Sequence, residues 1–304
     1  MDVCFDPRLM EEAVFLALRE PHRQCEARRY HASRERLYAL EDMEKRERSF
    51  QELHVHAFGE LKLEHPLAAL LNEIPVLRRL GRLNVQAVGL HKEEGADLYD
   101  GAQGVTALLK LCPETLVAPD KLVRRMRPEL EHLADMLDPG FQYDPQYELA
   151  GQTSAQENLI RDRFALLWDL RIEARLAVRG HATEPSHFRL RQRFEKLFGR
   201  SSAWSETFAR IFDGNDLQRR TQGDLFHFAH EPGAWLRNLG LGDGAGFSNS
   251  RPCPVCGFPS TVWAPNPERL SHGAQEYLRT RLPQWSPEQG LCEQCEEMLT
   301  VVAR

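Results

Sequence analysis

Two short cysteine pairs constrain this chain more than any other feature. They are Cys253-Pro254-Val255-Cys256 and, 35 residues later, Cys292-Glu293-Gln294-Cys295. A C-x-x-C pair curls around one side of a tetrahedral metal, and a second pair on a long spacer completes the coordination. Gly257 follows the first pair directly and lets the backbone turn tightly beneath the sulfurs. Cys253, Cys256, Cys292 and Cys295 are therefore the expected ligands of one structural Zn2+. Four protein thiolates leave no coordination position for a catalytic water. The remaining cysteines, Cys4, Cys25 and Cys112, share no spacing. Scattered thiols beside a clustered set fit a reducing, cytoplasmic setting in which lone cysteines are packing residues.

The chain has 304 residues, a hydrophobic content of 42% and a net charge of -6. Its length suggests two domains. The acidic balance gives no electrostatic footprint for nucleic acid. No apolar run approaches the roughly 20 residues of a membrane span, so no membrane association is expected. The opening Met1-Asp2-Val3-Cys4-Phe5 has no basic region ahead of an apolar stretch, so no secretion signal is read there.

Periodicity predicts a mainly α-helical domain over residues 1–238 with a small sheet near 83–111, an α+β arrangement. Residues 22–48 interleave acids and bases, as on a solvated helix. Further helices are expected at about 49–63 and from Pro66 to Leu80, interrupted by Pro75. Leu83–Val88 and Val105–Leu111 read as strands, and the polar stretch 91–104 between them reads as a loop. Pro119-Asp120 opens a helix that stops at Asp138-Pro139-Gly140. Helices are also expected at 156–179, 186–198 and 203–212. Residues 239–250 are glycine-rich and read as a linker to the cysteine module, 251–304.

The Cys-Pro-x-Cys-Gly sequence and the second Cys-x-x-Cys give 251–304 a resemblance to zinc ribbons. The spacer has room for an inserted helix over 266–282 carrying Leu270, Tyr277 and Leu278. Five arginines against six glutamates argue against this module as a nucleic-acid reader, although Trp263 and Trp285 could stack on bases. Nucleic-acid binding through the ribbon is the third functional expectation.

A second resemblance rests on Pro128-Glu129-Leu130-Glu131-His132. It is similar to the H-E-x-x-H helix of zincin metallopeptidases, with Pro128 in place of the first histidine. The resemblance implies Glu129 as general base and His132 as a ligand. It also implies a third ligand on the following long helix, where Asp169 and Glu173 stand one turn apart. The missing ligand would come from His54, His56, His65 or His91. A second metal is expected only on this zincin-like reading. The leading expectation is non-enzymatic: a zinc-binding protein whose module and helical domain contact a protein partner.

Overall fold

The computed structural model describes residues 1–101, 104–149, 154–181, 184–199, 202–214, 216–241, 251–260, 263–264 and 267–302. These form two compact units, Met1–Tyr143 and Asp144–Arg304. The fold is mostly helical with a small four-stranded sheet, in the α+β class. No helix among the described residues is long and apolar enough to cross a membrane.

The first unit opens with strand β1 (Asp2–Phe5). Helices α1 (Pro7–Ala17), α2 (Gln24–Tyr38), α3 (Met43–Glu60) and α4 (His65–Asn72) follow, and then β2 (Arg82–Ala87). Strands β3 (Gly95–Gly101) and β4 (Gly104–Leu111) come next, with α5 (Pro113–Leu116) and α6 (Pro119–Leu137) closing the unit. Strand order is β1-β2-β4-β3; β3 pairs antiparallel with β4, and the other neighbours are parallel.

The register explains the core. Val3, Leu83, Ala107 and Leu98 are aligned across the four strands, as are Phe5, Val85, Leu109 and Ala96. All eight belong to, or pack against, one apolar cluster shared with Leu9, Leu67, Leu77 and Leu130. Successive strand side chains point to opposite faces. The intervening residues make polar contacts: Asn84 Nδ2 donates to Tyr99 Oη at 2.6 Å, and Lys110 pairs with Asp97 at 2.9 Å. One face of the sheet thus carries the helices, and the other carries polar pairs.

Helix starts follow local chemistry. Asp6 caps α1 by accepting from Arg8 N at 2.9 Å, with Pro7 in the first turn. Asp42 caps α3 through Lys45 N. The boundary between α2 and α3 divides the charged stretch into two helices. Helix α6 runs without a break through Pro128, so this proline neither starts nor ends the helix. Its apolar stripe of Leu122, Met126, Leu130 and Leu133 is fully buried.

The second unit comprises α7 (Ser154–Val178), α8 (Glu184–Phe198), α9 (Ser202–Gly214), α10 (Gln222–His230) and α11 (Pro232–Asn238), followed by the cysteine module. Phe194, Phe198, Trp204, Phe208 and Trp235 form its aromatic centre. The predicted boundary at 238 falls inside this unit. Leu239–Leu241 finish α11: Gly240 has φ +67°, and Leu241 N donates to Leu236 O at 3.1 Å. This is a left-handed helix stop that favours glycine. The rest of the expected linker, 242–250, lies outside the described residues.

Candidate metal centre

The cysteine module begins with a short hairpin, β5 (Arg251–Pro252) with β6 (Pro259–Ser260). Cys253 and Cys256 occupy its turn. Cys253 N donates to Phe258 O at 2.6 Å, and Gly257 N donates to Cys253 O at 2.7 Å. Gly257 has φ +74°, the left-handed conformation that its position was read to need. The second pair sits differently. Cys292 immediately precedes α13 (Glu293–Val302), and Cys295 is in its first turn. A helix N-terminus presents amide dipoles that favour thiolate over thiol.

Between the pairs lies α12 (His272–Arg281), inside the span 266–282 read as helical. Ser271 caps it by accepting from Ala274 N. Leu270 and Leu278 are buried in the module's own core with Ala274, Trp285, Leu291 and Leu299, while Tyr277 is 46% exposed. Trp285 Nε1 donates to Gly290 O at 3.0 Å, fixing the segment before the second pair. A bridge between Trp263 and Cys292 joins the two halves. Among the described residues the module therefore has one hairpin and two helices, with the second cysteine pair on a helix rather than on a second hairpin.

Cys253 Sγ lies 4.0 Å from Cys295 Sγ, and Cys256 Sγ lies 3.8 Å from Cys292 Sγ. All four sulfurs are within 4.8 Å of one another. A metal held by four sulfurs at about 2.3 Å needs tetrahedral edges of about 3.8 Å. The cluster fits that geometry. Cys292 N also donates to Cys253 Sγ at 3.3 Å, a bond that suits a sulfur carrying negative charge. Hydrogen bonds with the neighbouring thiols of Cys256, Cys292 and Cys295 hold Cys253 well below the ordinary thiol range. Cys295, hydrogen-bonded with Cys253, Cys256 and Cys292, is pushed far above it. Four thiols this close cannot all ionise unaided, and a cation among them reverses the balance.

The zincin-type candidates do not assemble within either unit. Glu129 and His132 stand on α6 in the first unit, and Asp169 and Glu173 on α7 in the second. Among the described residues of each unit, neither pair joins a third histidine, cysteine or carboxylate to form a ligand cluster. Asp169 is ion-paired with Arg193 at 2.8 Å. His56 and His65 sit beside Glu60 and Glu64 near the surface. His54 is buried among Phe15, Tyr30 and Phe50, with Nδ1 3.9 Å from Glu11. Burial pushes its pKa down, against the raising charge of Glu11.

His91 belongs to a group that motif reading missed. It gathers with Glu94 and Cys112, their ligand atoms within 4.8 Å of one another. Burial alone would raise the Glu94 carboxyl, but contacts from Thr115, Cys112 N, Arg125 and His91 hold it below the ordinary range. Burial and the charge of Glu94 push the Cys112 thiol up to about 11. The only trace in the sequence is a His-x-x-Glu spacing in a stretch read as loop, with its cysteine partner 18 residues beyond the glutamate.

Comparison of the chain with protein-family models, curated proteins and solved structures finds no match.

Proposed function

We propose that this chain is a zinc-binding protein in which Cys253, Cys256, Cys292 and Cys295 hold one structural Zn2+. The metal keeps the tail module rigid as a docking surface for a protein partner. One observation carries the reading: four sulfurs whose cross-pair distances of 3.8 and 4.0 Å match the edge of a tetrathiolate site. Such a site is closed, so its metal supplies folding energy rather than a reactive water. A module of some fifty residues buries too little apolar surface to be stable unaided, and zinc binding makes up the difference. Tyr277 on α12 and Met298 on α13, 46% and 54% exposed, are residue types enriched at protein interfaces.

A hydrolytic centre at Glu129 and His132 draws no support from either unit, because no third ligand joins the pair within its own unit among the described residues. The module's charge does not favour nucleic acid either, since it carries one more acid than base.

The test is a photo-crosslinking amino acid placed at position 277 of the full-length protein in cells. The reading expects a discrete protein adduct that vanishes with Cys292→Ser. Adducts of equal yield in that variant, or crosslinks to nucleic acid alone, would overturn it.

A further inference from the structure

Outside the tail, the first unit contains a second convergence of metal-ligand chemistry, at one end of its sheet. His91 lies in a 3-10 turn (His91–Glu93), Glu94 directly precedes β3, and Cys112 joins β4 to α5. Three residue types that bind divalent transition metals thus meet from two segments, the β2–β3 connection and the end of β4, their ligand atoms within 4.8 Å of one another.

The details match a cation site. His91 Nδ1 lies 3.4 Å from Glu94 Oε2. Nitrogen and oxygen ligands at about 2.0–2.2 Å around a tetrahedral metal are separated by about 3.3–3.5 Å. The Glu94 side chain is only 3% exposed, whereas that of His91 is 48% exposed. Cys112 is buried. The cluster is therefore closed on the protein side and reachable from solvent past the imidazole. Cys112 N donates to Glu94 Oε1 at 3.1 Å, orienting the carboxylate from behind. Thr115 Oγ1 is 3.5 Å from His91 Nδ1.

One neighbour opposes a cation. Arg125 Nη1 pairs with Glu94 Oε2 at 2.8 Å. One turn along the same helix, Glu129 brings a carboxylate oxygen to within 3.7 Å of the point where a Cβ on Gly95 would stand. Glu94 Oε2, the oxygen facing His91, has more than one lone pair, so it can accept from Arg125 and still offer one to a metal, as hydrogen-bonded carboxylate ligands do.

We propose that His91, Glu94 and Cys112 form a second divalent-metal site, for Zn2+ or a similar borderline cation, with a coordination position open to solvent. Three protein ligands with one exchangeable position is the composition of a reactive zinc site rather than a structural one. Its ligand set (one thiolate, one imidazole, one carboxylate) distinguishes it from the tail cluster by chemistry alone. The proposal does not depend on the reading of the tail.

The test titrates full-length protein carrying one equivalent of zinc, held by the tail cluster, with Co2+. The expected result is one further equivalent, with a thiolate-to-cobalt charge-transfer band of single-sulfur intensity. Cys112→Ser should abolish the band. His91→Ala, at an exposed position, should weaken Co2+ binding by about 10–100-fold or more. Arg125→Gln, which removes the competing charge, should strengthen it. The site should persist in Cys292→Ser, which damages only the tail cluster. If the protein with one zinc equivalent takes up no Co2+ at millimolar concentration, the proposal is wrong. It is equally wrong if uptake is indifferent to both His91→Ala and Cys112→Ser.

Discussion

Replacing Cys292 with serine should cost the tail its metal. Cys292 is 5% exposed and bridges the module, pairing with Trp263 across the chain and lying 3.8 Å from Cys256 through its sulfur. Apparent zinc-binding energies for structural sites are about 10–16 kcal/mol at neutral pH. The two cross-pair distances differ by only 0.2 Å (4.0 against 3.8), so no sulfur stands out as a weaker partner. Shared equally, each thiolate contributes roughly 2.5–4 kcal/mol, which corresponds to about a 10²–10³-fold rise in Kd. Competition against a chromophoric chelator measures that ratio directly. Hydrogen exchange supplies a local readout, because Ala264 N donates to Leu291 O at 2.9 Å in the segment the metal ties down. Both quantities should change together in Cys292→Ser, and neither should change in Cys4→Ser or Cys25→Ser. Wild-type zinc affinity in Cys292→Ser would refute the assignment of these four sulfurs as ligands. Acidification should also weaken binding, because thiols must lose protons to coordinate.

Two further outcomes concern the helical parts. Burial lowers the folded-state pKa of His54 below its ordinary value of 6.5, with Glu11 and Glu47 opposing the shift and Arg34 adding to it. The unfolded chain therefore binds the extra proton first, so stability from this group is present above about pH 6.5 and is lost as pH falls toward the folded value. Urea midpoints at pH 7.5 and 5.5 should differ less in His54→Leu than in the wild type; an unchanged difference would show that other groups carry the acid sensitivity. Thr221 and Asp224 form a reciprocal cap on α10, with bonds of 3.1 and 2.9 Å. Thr221→Ala should lower unfolding stability by about 0.5–2 kcal/mol in denaturant melts, and an effect below that range would mean solvent satisfies the helix end equally well.

The cysteine cluster was legible because its signal is local. Two residues fix each pair, and the spacing alone demands convergence. Helix α6 was legible for a similar reason, with a proline start, an Asp-Pro-Gly stop and an unbroken apolar stripe between them. Strand β1 was not. Four residues, Asp2–Phe5, carry no period of their own and become a strand only because Val3 and Phe5 align with Leu83 and Val85. Strand β3 was read as loop since Gly95, Asp97, Asp100 and Gly101 are poor strand formers; it is an edge strand, whose outer side needs no partner, and β4 pulls it into register. Pro128 lies inside α6 without ending it. A proline inside a helix removes one hydrogen bond, yet the buried Met126, Leu130 and Leu133 hold α6 together across it. The His91–Glu94–Cys112 group left only a His-x-x-Glu trace, because Cys112 reaches the other two only after β3 and β4 have paired.

The two cysteine pairs bracket residues 257–291, so the coordination sphere would act as a rivet through both ends of that stretch. A protease cutting anywhere within it should leave two fragments that travel together on a native column and separate only when chelator is added. Loop-closure entropy rises slowly with length, so that stretch can also gain residues without loosening the rivet. The tail would therefore tolerate change most between its two cysteine pairs, while its fastening stays the same.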